Sequence, residues 1–287
     1  MNIEVAGLKL QNHVMNAAYI HSKKTEDIKQ LINSAAGAIV VGSITVLART
    51  NNQRPGYWRH EEGFYSLNSY GMPNDGLAYF KNELPKIVKL AHEKNKPVIV
   101  NVAGFSKKEF VQLIDLAQAS GADMVELNLG CPNVWNNGQQ KRIMSYQPSL
   151  VKELLDYIRE FEPSIKIAVK ISPLPPDILS EIAKIICNSK IVKVVVATNS
   201  YPNAFLSTRT KLGFAGMTGR ALKPISLGVV KQLHDLLSSN VAIIGCGGIS
   251  SPHDVDDYLA AGAKAVQVAT VLVDEGLGIF ESLIASK

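Results

Sequence analysis

The chain has 287 residues, 46% of them apolar and 19% charged, with a formal net charge of +5. That balance excludes a disordered chain and provides for a sizeable core. The mild positive charge serves solubility and gives only weak support for a nucleic-acid partner. Cys131, Cys187 and Cys246 form no C-x-x-C pair, and their odd number argues against a disulfide framework. No apolar run approaches the ~20 residues of a membrane span, and the N-terminus lacks a basic-then-apolar signal pattern. A reducing cytoplasm and no membrane association are expected.

In chain order, short apolar runs rich in Val and Ile fall at 13–19, 37–43, 97–104, 124–130, 165–172, 191–200, 241–249 and 265–272. They show little alternation, as strands covered on both faces should. Helical patterns lie between them at 25–35, 107–120, 148–161, 176–188, 224–238 and 252–261. The first is expected to open with Thr25 as N-cap and to turn Ile28, Leu31 and Ile32 to one face. Four begin with proline at or near the first turn, where its missing N–H costs nothing. Eight strands alternating with about eight helices predict an α/β fold, a (β/α)₈ TIM barrel, as one domain over residues 1–287. A doubly wound sheet would need a G-x-G-x-x-G turn after an early strand, and the sequence has none. The polar, aromatic stretch 45–73, between the second strand and its helix, is then a long loop at the catalytic mouth.

The C-terminal ends of barrel strands face the active site. The polar residues there are Asn16 on the first strand, Asn101 on the third, Asn128, Cys131 and Asn133 after the fourth, Lys170 on the fifth, and Asn199 and Ser200 on the sixth. Asn68 lies in the long loop. No His/Asp/Glu set has metal spacing and no serine sits in a G-x-S-x-G elbow, so no metal is expected. An amide does not titrate, but it sets one acceptor beside two donors. A flat ring of alternating N–H and C=O groups, such as a pyrimidine dione, matches that edge. Taken singly, each asparagine also reads as a turn former. Four of them around a cysteine favour a binding site. Gly247 and Gly248 precede the Pro252 helix, and Thr270 follows the eighth strand. That turn reads as a phosphate cradle of bare N–H groups at a positive helix end, or as a plain turn. Cys131 reads as a base or as a small buried hydrophobe; Cys187 and Cys246 read as structural.

The stretches MNAA (15–18), NSYGMPN (68–74), ELNLGCPN (126–133), VK (169–170), TNS (198–200), KP (223–224) and IIGCGGI (243–249) follow one another along nearly the whole chain. In this order and spacing the sequence resembles the dihydroorotate dehydrogenase family, in its soluble class with a cysteine base. The resemblance implies a flavin mononucleotide (FMN) barrel. Its flavin would lie among Ala17, Ala18, Ser43, Asn101, Asn128, Lys170 and Thr198, and its phosphate on Gly219, Gly247, Gly248 and Thr270. Lys170 would stabilise negative charge on the reduced ring. Asn68, Asn128, Asn133, Asn199 and Ser200 would hold a dihydropyrimidine. Cys131 would take a proton from the carbon beside the carbonyl, while a hydride leaves the neighbouring carbon for the flavin. The segment 134–145 looks like a mobile loop over the base, with Gly138 as its hinge. The resemblance also implies a homodimer. It implies electron transfer to fumarate or to an iron–sulfur flavoprotein subunit, since three cysteines cannot hold a cluster of their own.

Three positions depart from the family. Gly42 stands where the family has a lysine that contacts flavin and substrate carboxylate, Tyr19 stands in place of a glycine, and Gly130 in place of a common serine. Loss of that lysine predicts either a substrate without the orotate charge, with Tyr19 filling the vacated space, or another cation. The candidates are Arg54, Arg59, Lys141 and Arg142. Two other classes stay open. The N-x-GCP motif at 128–132 also resembles dihydrouridine synthases, which act on transfer RNA. Those enzymes carry an extra C-terminal RNA-binding domain, whereas here the eighth helical pattern is expected to run to the chain's end. A non-catalytic barrel kept for binding or assembly is the third class.

Overall fold

The computed structural model describes residues 3–52, 56–136, 139–206 and 209–285. Eight parallel strands form one sheet: Val14–Asn16, Ile39–Ile44, Val98–Val102, Met124–Asn128, Lys166–Ile171, Val192–Ala197, Ala242–Cys246 and Ala265–Val268. Numbered along the chain, their spatial order is 1-8-7-6-5-4-3-2, which brings the first and second edges together as a nearly closed barrel. Asn16 closes the seam between those two edges. Its Nδ2 donates to Val40 O at 2.7 Å and its Oδ1 accepts from Val40 N at 3.0 Å. The Gly37 N–H adds a bond to Val14 O at 2.8 Å. Asn16 was expected at the mouth; it is fully buried and takes over a ladder function instead.

Side chains on these strands alternate between two cores. Val41, Val100, Leu127, Val169 and Val195 point outward and pack against the helices. Val40, Ile99, Met124, Ala168, Val194 and Ala265 point into the barrel. Val5, Leu8 and Leu10 join them from a hairpin, Ile3–Val5 paired with Leu8–Leu10. Two residues further along four of those strands, the inward positions become Asn101, Glu126, Lys170 and Gln267. An apolar layer thus supports a polar one beneath the mouth, in the layered packing of such barrels.

The helices carry the expected stops and starts, with three corrections. Thr25 is the first residue of its helix rather than the cap; Lys24 precedes it, and Thr25 Oγ1 is bonded to the Tyr79 hydroxyl at 2.8 Å. The helix after the long loop is Gly76–Glu93, which buries Phe80, Leu84, Ile87, Val88 and Ala91 despite an internal Pro85. The eighth strand ends at Val268, and Thr270 opens a short helix, Thr270–Glu275. No helix among the described residues is long and apolar enough to cross a membrane.

The stretch 45–73 is not a structureless loop. Tyr57–Arg59 and Ser66–Asn68 pair with each other and with Ala215–Thr218, which pairs in turn with Tyr201–Ala204. This four-stranded antiparallel sheet stands over one side of the mouth. The segment 134–145 forms a small hairpin, Trp135–Asn136 against Gln139–Gln140. Gly138, the expected hinge, lies outside the described residues.

Candidate active site

A cavity of about 360 Å³ opens at the C-terminal ends of the barrel strands. That is within the ~300–1,000 Å³ of ordinary ligand pockets. Its wall includes Ala17, Ala18, Ser43, Asn68, Asn128, Cys131, Asn133, Lys170, Thr198, Asn199 and Ser200. Gly219, Gly247, Gly248 and Thr270 line it as well. Of the residues expected to hold the flavin, its phosphate or the dihydropyrimidine, only Asn101 is missing from the wall. It lies fully buried under the floor, where its Nδ2 donates to Glu126 Oε1 at 2.5 Å.

The amides interlock. Asn133 Nδ2 donates to Asn68 Oδ1 at 2.8 Å and to Asn68 O at 2.9 Å. Asn199 Nδ2 donates to Asn128 Oδ1 at 3.1 Å, and Asn128 Nδ2 donates to Ser43 Oγ at 3.0 Å. Ser200 N donates to Asn199 Oδ1 at 2.7 Å. These bonds link the ends of the second and fourth strands and the loops after the fourth and sixth with the small antiparallel sheet, so the amide edges are fixed in place. Asn52 adds a support that its sequence context does not reveal: its Nδ2 donates to Asn133 O at 2.6 Å.

Cys131 follows the fourth strand, with its side chain half-buried against Met72, Ala103 and Val134. Burial pushes its thiol above the ordinary range. The Asn133 N–H and the positive charges of Lys23, Arg49 and Lys170 act in the opposite direction. Gly130, where the family often has serine, is required here by packing: a Cβ would lie 2.6 Å from Ser172 N.

Lys170 and Gln267 form the floor. Lys170 Nζ donates to Gln267 Oε1 at 2.9 Å and stands 3.8 Å from Glu126 Oε1. Gln267 Nε2 donates to Glu126 Oε2 at 2.6 Å. Neither Glu126 nor Gln267 was among the expected site residues. The two-residue strand period could have found Glu126, since it places Met124, Glu126 and Asn128 on one side.

At the opposite end, glycines make a cradle. Gly248 has φ +71°, and a Cβ there would lie 2.6 Å from Lys223 N and 2.9 Å from Gly219 O. Gly219, at φ +88°, would place a Cβ 2.9 Å from Tyr65 Cα. The niche therefore exists only with glycine at both positions. The expectation of bare N–H groups at the Pro252 helix is corrected: Ser250 N and Ser251 N each donate to Asp254 Oδ2 at 2.8 Å. The helix start facing the cradle is that of Lys223–Leu236, whose Ser226 Oγ would lie 2.3 Å from a Cβ on Gly247. Its positive end suits an anion.

The substitute cations expected from sequence that the structure describes are either engaged elsewhere or off the cavity wall. Arg59 lines the cavity but pairs with Asp274 at 3.0 Å. Lys141 Nζ lies over the Phe105 ring at 4.3 Å, and Arg142 is exposed; neither is on the wall. Arg54 lies outside the described residues. Tyr19 lines the cavity, yet its ring meets His21 edge-on at 5.7 Å. The atoms nearest a Cβ on Gly42 belong to Asn101 and Ile44, not to Tyr19.

The family model described as Dihydroorotate dehydrogenase matches residues 1–286. Dihydroorotate dehydrogenase (fumarate) of Saccharomyces cerevisiae is 32% identical over 286 residues, which cover 95% of this chain and 87% of that protein. Dihydroorotate dehydrogenase A (fumarate) of Lactococcus lactis subsp. cremoris is 31% identical over 293 aligned residues, covering 99% and 92%. The ligand-free DHODH structure from Eimeria tenella superposes with a TM-score of 0.85 at 20% identity, over 98% of this chain and 85% of that one. That last likeness bears on the fold.

Proposed function

The chain belongs to the dihydroorotate dehydrogenase family, and from that membership we propose that its cavity oxidises dihydroorotate with Cys131 as the base and FMN as the hydride acceptor. The observation that carries the reading is the convergence of a thiol, two interlocked amide pairs and a glycine cradle on one cavity. The comparisons do not favour a transfer-RNA substrate.

The residues fit FMN. The niche at Gly219, Gly247 and Gly248 would take its phosphate, and Lys170 with Gln267 would lie along its ring. The buried Asn101 Oδ1, which has no hydrogen-bond partner among the described residues, sits just below that floor. When bound, FMN supplies a two-electron acceptor for the hydride that leaves the substrate ring. The chain's own residues do the rest. Asn68 and Asn133 on one side and Asn128, Asn199 and Ser200 on the other hold a pyrimidine dione by its edge. Cys131, as thiolate, takes the proton from the carbon next to the carbonyl. The hairpin Trp135–Asn136 and Gln139–Gln140, tied to the residue after Cys131 by Gln140 Nε2 donating to Pro132 O at 2.6 Å, would exclude water from the thiol. A homodimer, and fumarate as the acceptor named for the relatives, belong to the same reading.

Anaerobic addition of dihydroorotate to the purified yellow protein is expected to bleach the flavin band. A flavin-loaded protein that stays yellow at saturating dihydroorotate sinks the reading. Gly248→Ala is expected to lower flavin retention at least ~10-fold, since a methyl group occupies the niche and the φ is strained. The flavin-to-protein absorbance ratio after gel filtration measures it.

A further inference from the structure

Among the described residues, four cations line the cavity: Lys23, Arg59, Lys170 and Arg220. Three of them are engaged. Arg59 holds Asp274, Lys170 bonds to Gln267, and Arg220 donates to Glu62 O at 2.7 Å. Lys23 is only 8% exposed, yet its ammonium makes no hydrogen bond or ion pair with any described residue. Burial pulls its pKa down to about 8, and the nearby Cys131 is the charge that acts against that shift. An ammonium so placed is costly to the fold unless something else gains from it.

The backbone explains its position. Ser22, the residue before it, clamps Gly42 from both sides: Gly42 N donates to Ser22 O at 2.8 Å, and Ser22 Oγ donates to Gly42 O at 2.7 Å. Ser22 is itself fixed to Tyr19 by Tyr19 N donating to Ser22 Oγ at 2.9 Å. Lys23 therefore enters the cavity beside Gly42 and Ser43, at the end that holds Cys131 and the amides. Position 42 cannot supply a side chain of its own. Its φ is +126°, and a Cβ would lie 2.2 Å from Asn101 O.

We propose that Lys23 is the residue that binds the acidic substituent of the substrate, so that the site selects a carboxylated dihydropyrimidine over a neutral one. The proposal rests on the dihydropyrimidine reading of this cavity. It also answers the question left by Gly42: the charge is present, delivered from the segment between the first strand and its helix. A lysine here forms a charge-assisted bond to a carboxylate inside a partly dry cavity, where such bonds are strongest.

The test is a titration of the flavin-loaded protein with orotate and with uracil, followed by the perturbation of the flavin spectrum and by calorimetry. Wild type is expected to bind orotate more tightly than uracil. Lys23→Met should lose about ten- to a hundred-fold in orotate affinity and change uracil affinity little. Lys23→Arg should recover much of the loss. Unliganded Lys23→Met should melt at or above the wild-type temperature, because it removes a buried unpaired charge. Lys23→Gln provides a second neutral variant with the same expected pattern. Equal losses for orotate and uracil, or an unchanged orotate affinity in both neutral variants, overturn the proposal while leaving the dehydrogenase reading standing. If neither ring perturbs the wild type, the dihydropyrimidine reading itself fails, and the role of Lys23 with it.

Discussion

Cys131→Ala is expected to slow the reduction of bound flavin by dihydroorotate about 10²- to 10⁴-fold, the usual contribution of a positioned general base. Orotate affinity should stay within a few-fold of wild type, because the amide pairs and Lys23 are untouched. The fold should tolerate the change: the half-buried side chain packs against Met72, Ala103 and Val134 and gives up one sulfur atom. The wild-type pH profile supplies an independent check. Burial raises the thiol pKa, and the active form is the thiolate, so flavin reduction should quicken as pH rises. It should level off only above the ordinary thiol value of about 8.5. Stopped-flow measurement of flavin bleaching reads both results. A variant slowed less than ten-fold, or a wild-type profile flat from pH 6 upward, removes Cys131 from the role of base.

The sequence shows the barrel because most barrel strands are short, rich in Val and Ile and buried on both faces, and alternate with helical patterns. It shows Asn128, Cys131 and Asn133 because an apolar run stops at them. Lys23 is invisible for an equally physical reason. In the stretch His21-Ser22-Lys23-Lys24-Thr25 the two lysines look alike, and only the Ser22 clamp on Gly42, a contact across 20 residues, buries one and exposes the other. The antiparallel sheet over the mouth is hidden likewise. Its strands are 3 or 4 residues long, and they pair residues near 67 with residues near 217. Asn16 shows the converse error. It sits at a strand position that suggests the mouth but closes the barrel seam, a distinction set by barrel closure rather than by local pattern.

Glu126→Ala is expected to cost about 3–5 kcal/mol of stability, the usual penalty for breaking a buried charge pair. Glu126 is fully buried and accepts from Asn101 and Gln267 while facing the Lys170 ammonium. Removing it orphans two amide donors and leaves Lys170 as an uncompensated cation under the cavity. For a chain of this size each kcal/mol moves the melting temperature by about 2–4 °C, so a fall of about 6–20 °C should be seen. Glu126→Gln should lose less, about 1–3 kcal/mol, since it keeps the shape but sets donors against donors. The decisive comparison is Glu126→Leu with Lys170→Met. If the two groups stabilise as a pair, the double variant should regain most of what Glu126→Leu loses, a coupling that a double-mutant cycle in urea measures directly. Additive losses would instead make Glu126 a packing residue whose charge is incidental. The pairing bears on function as well as on the fold. Among the described residues Lys170 is the cation on the cavity floor, and Glu126 beneath it sets how much of its charge reaches the cavity. Glu126→Gln should therefore strengthen the binding of an anionic ligand above Lys170 even as it weakens the protein, a pairing of effects that packing alone does not produce.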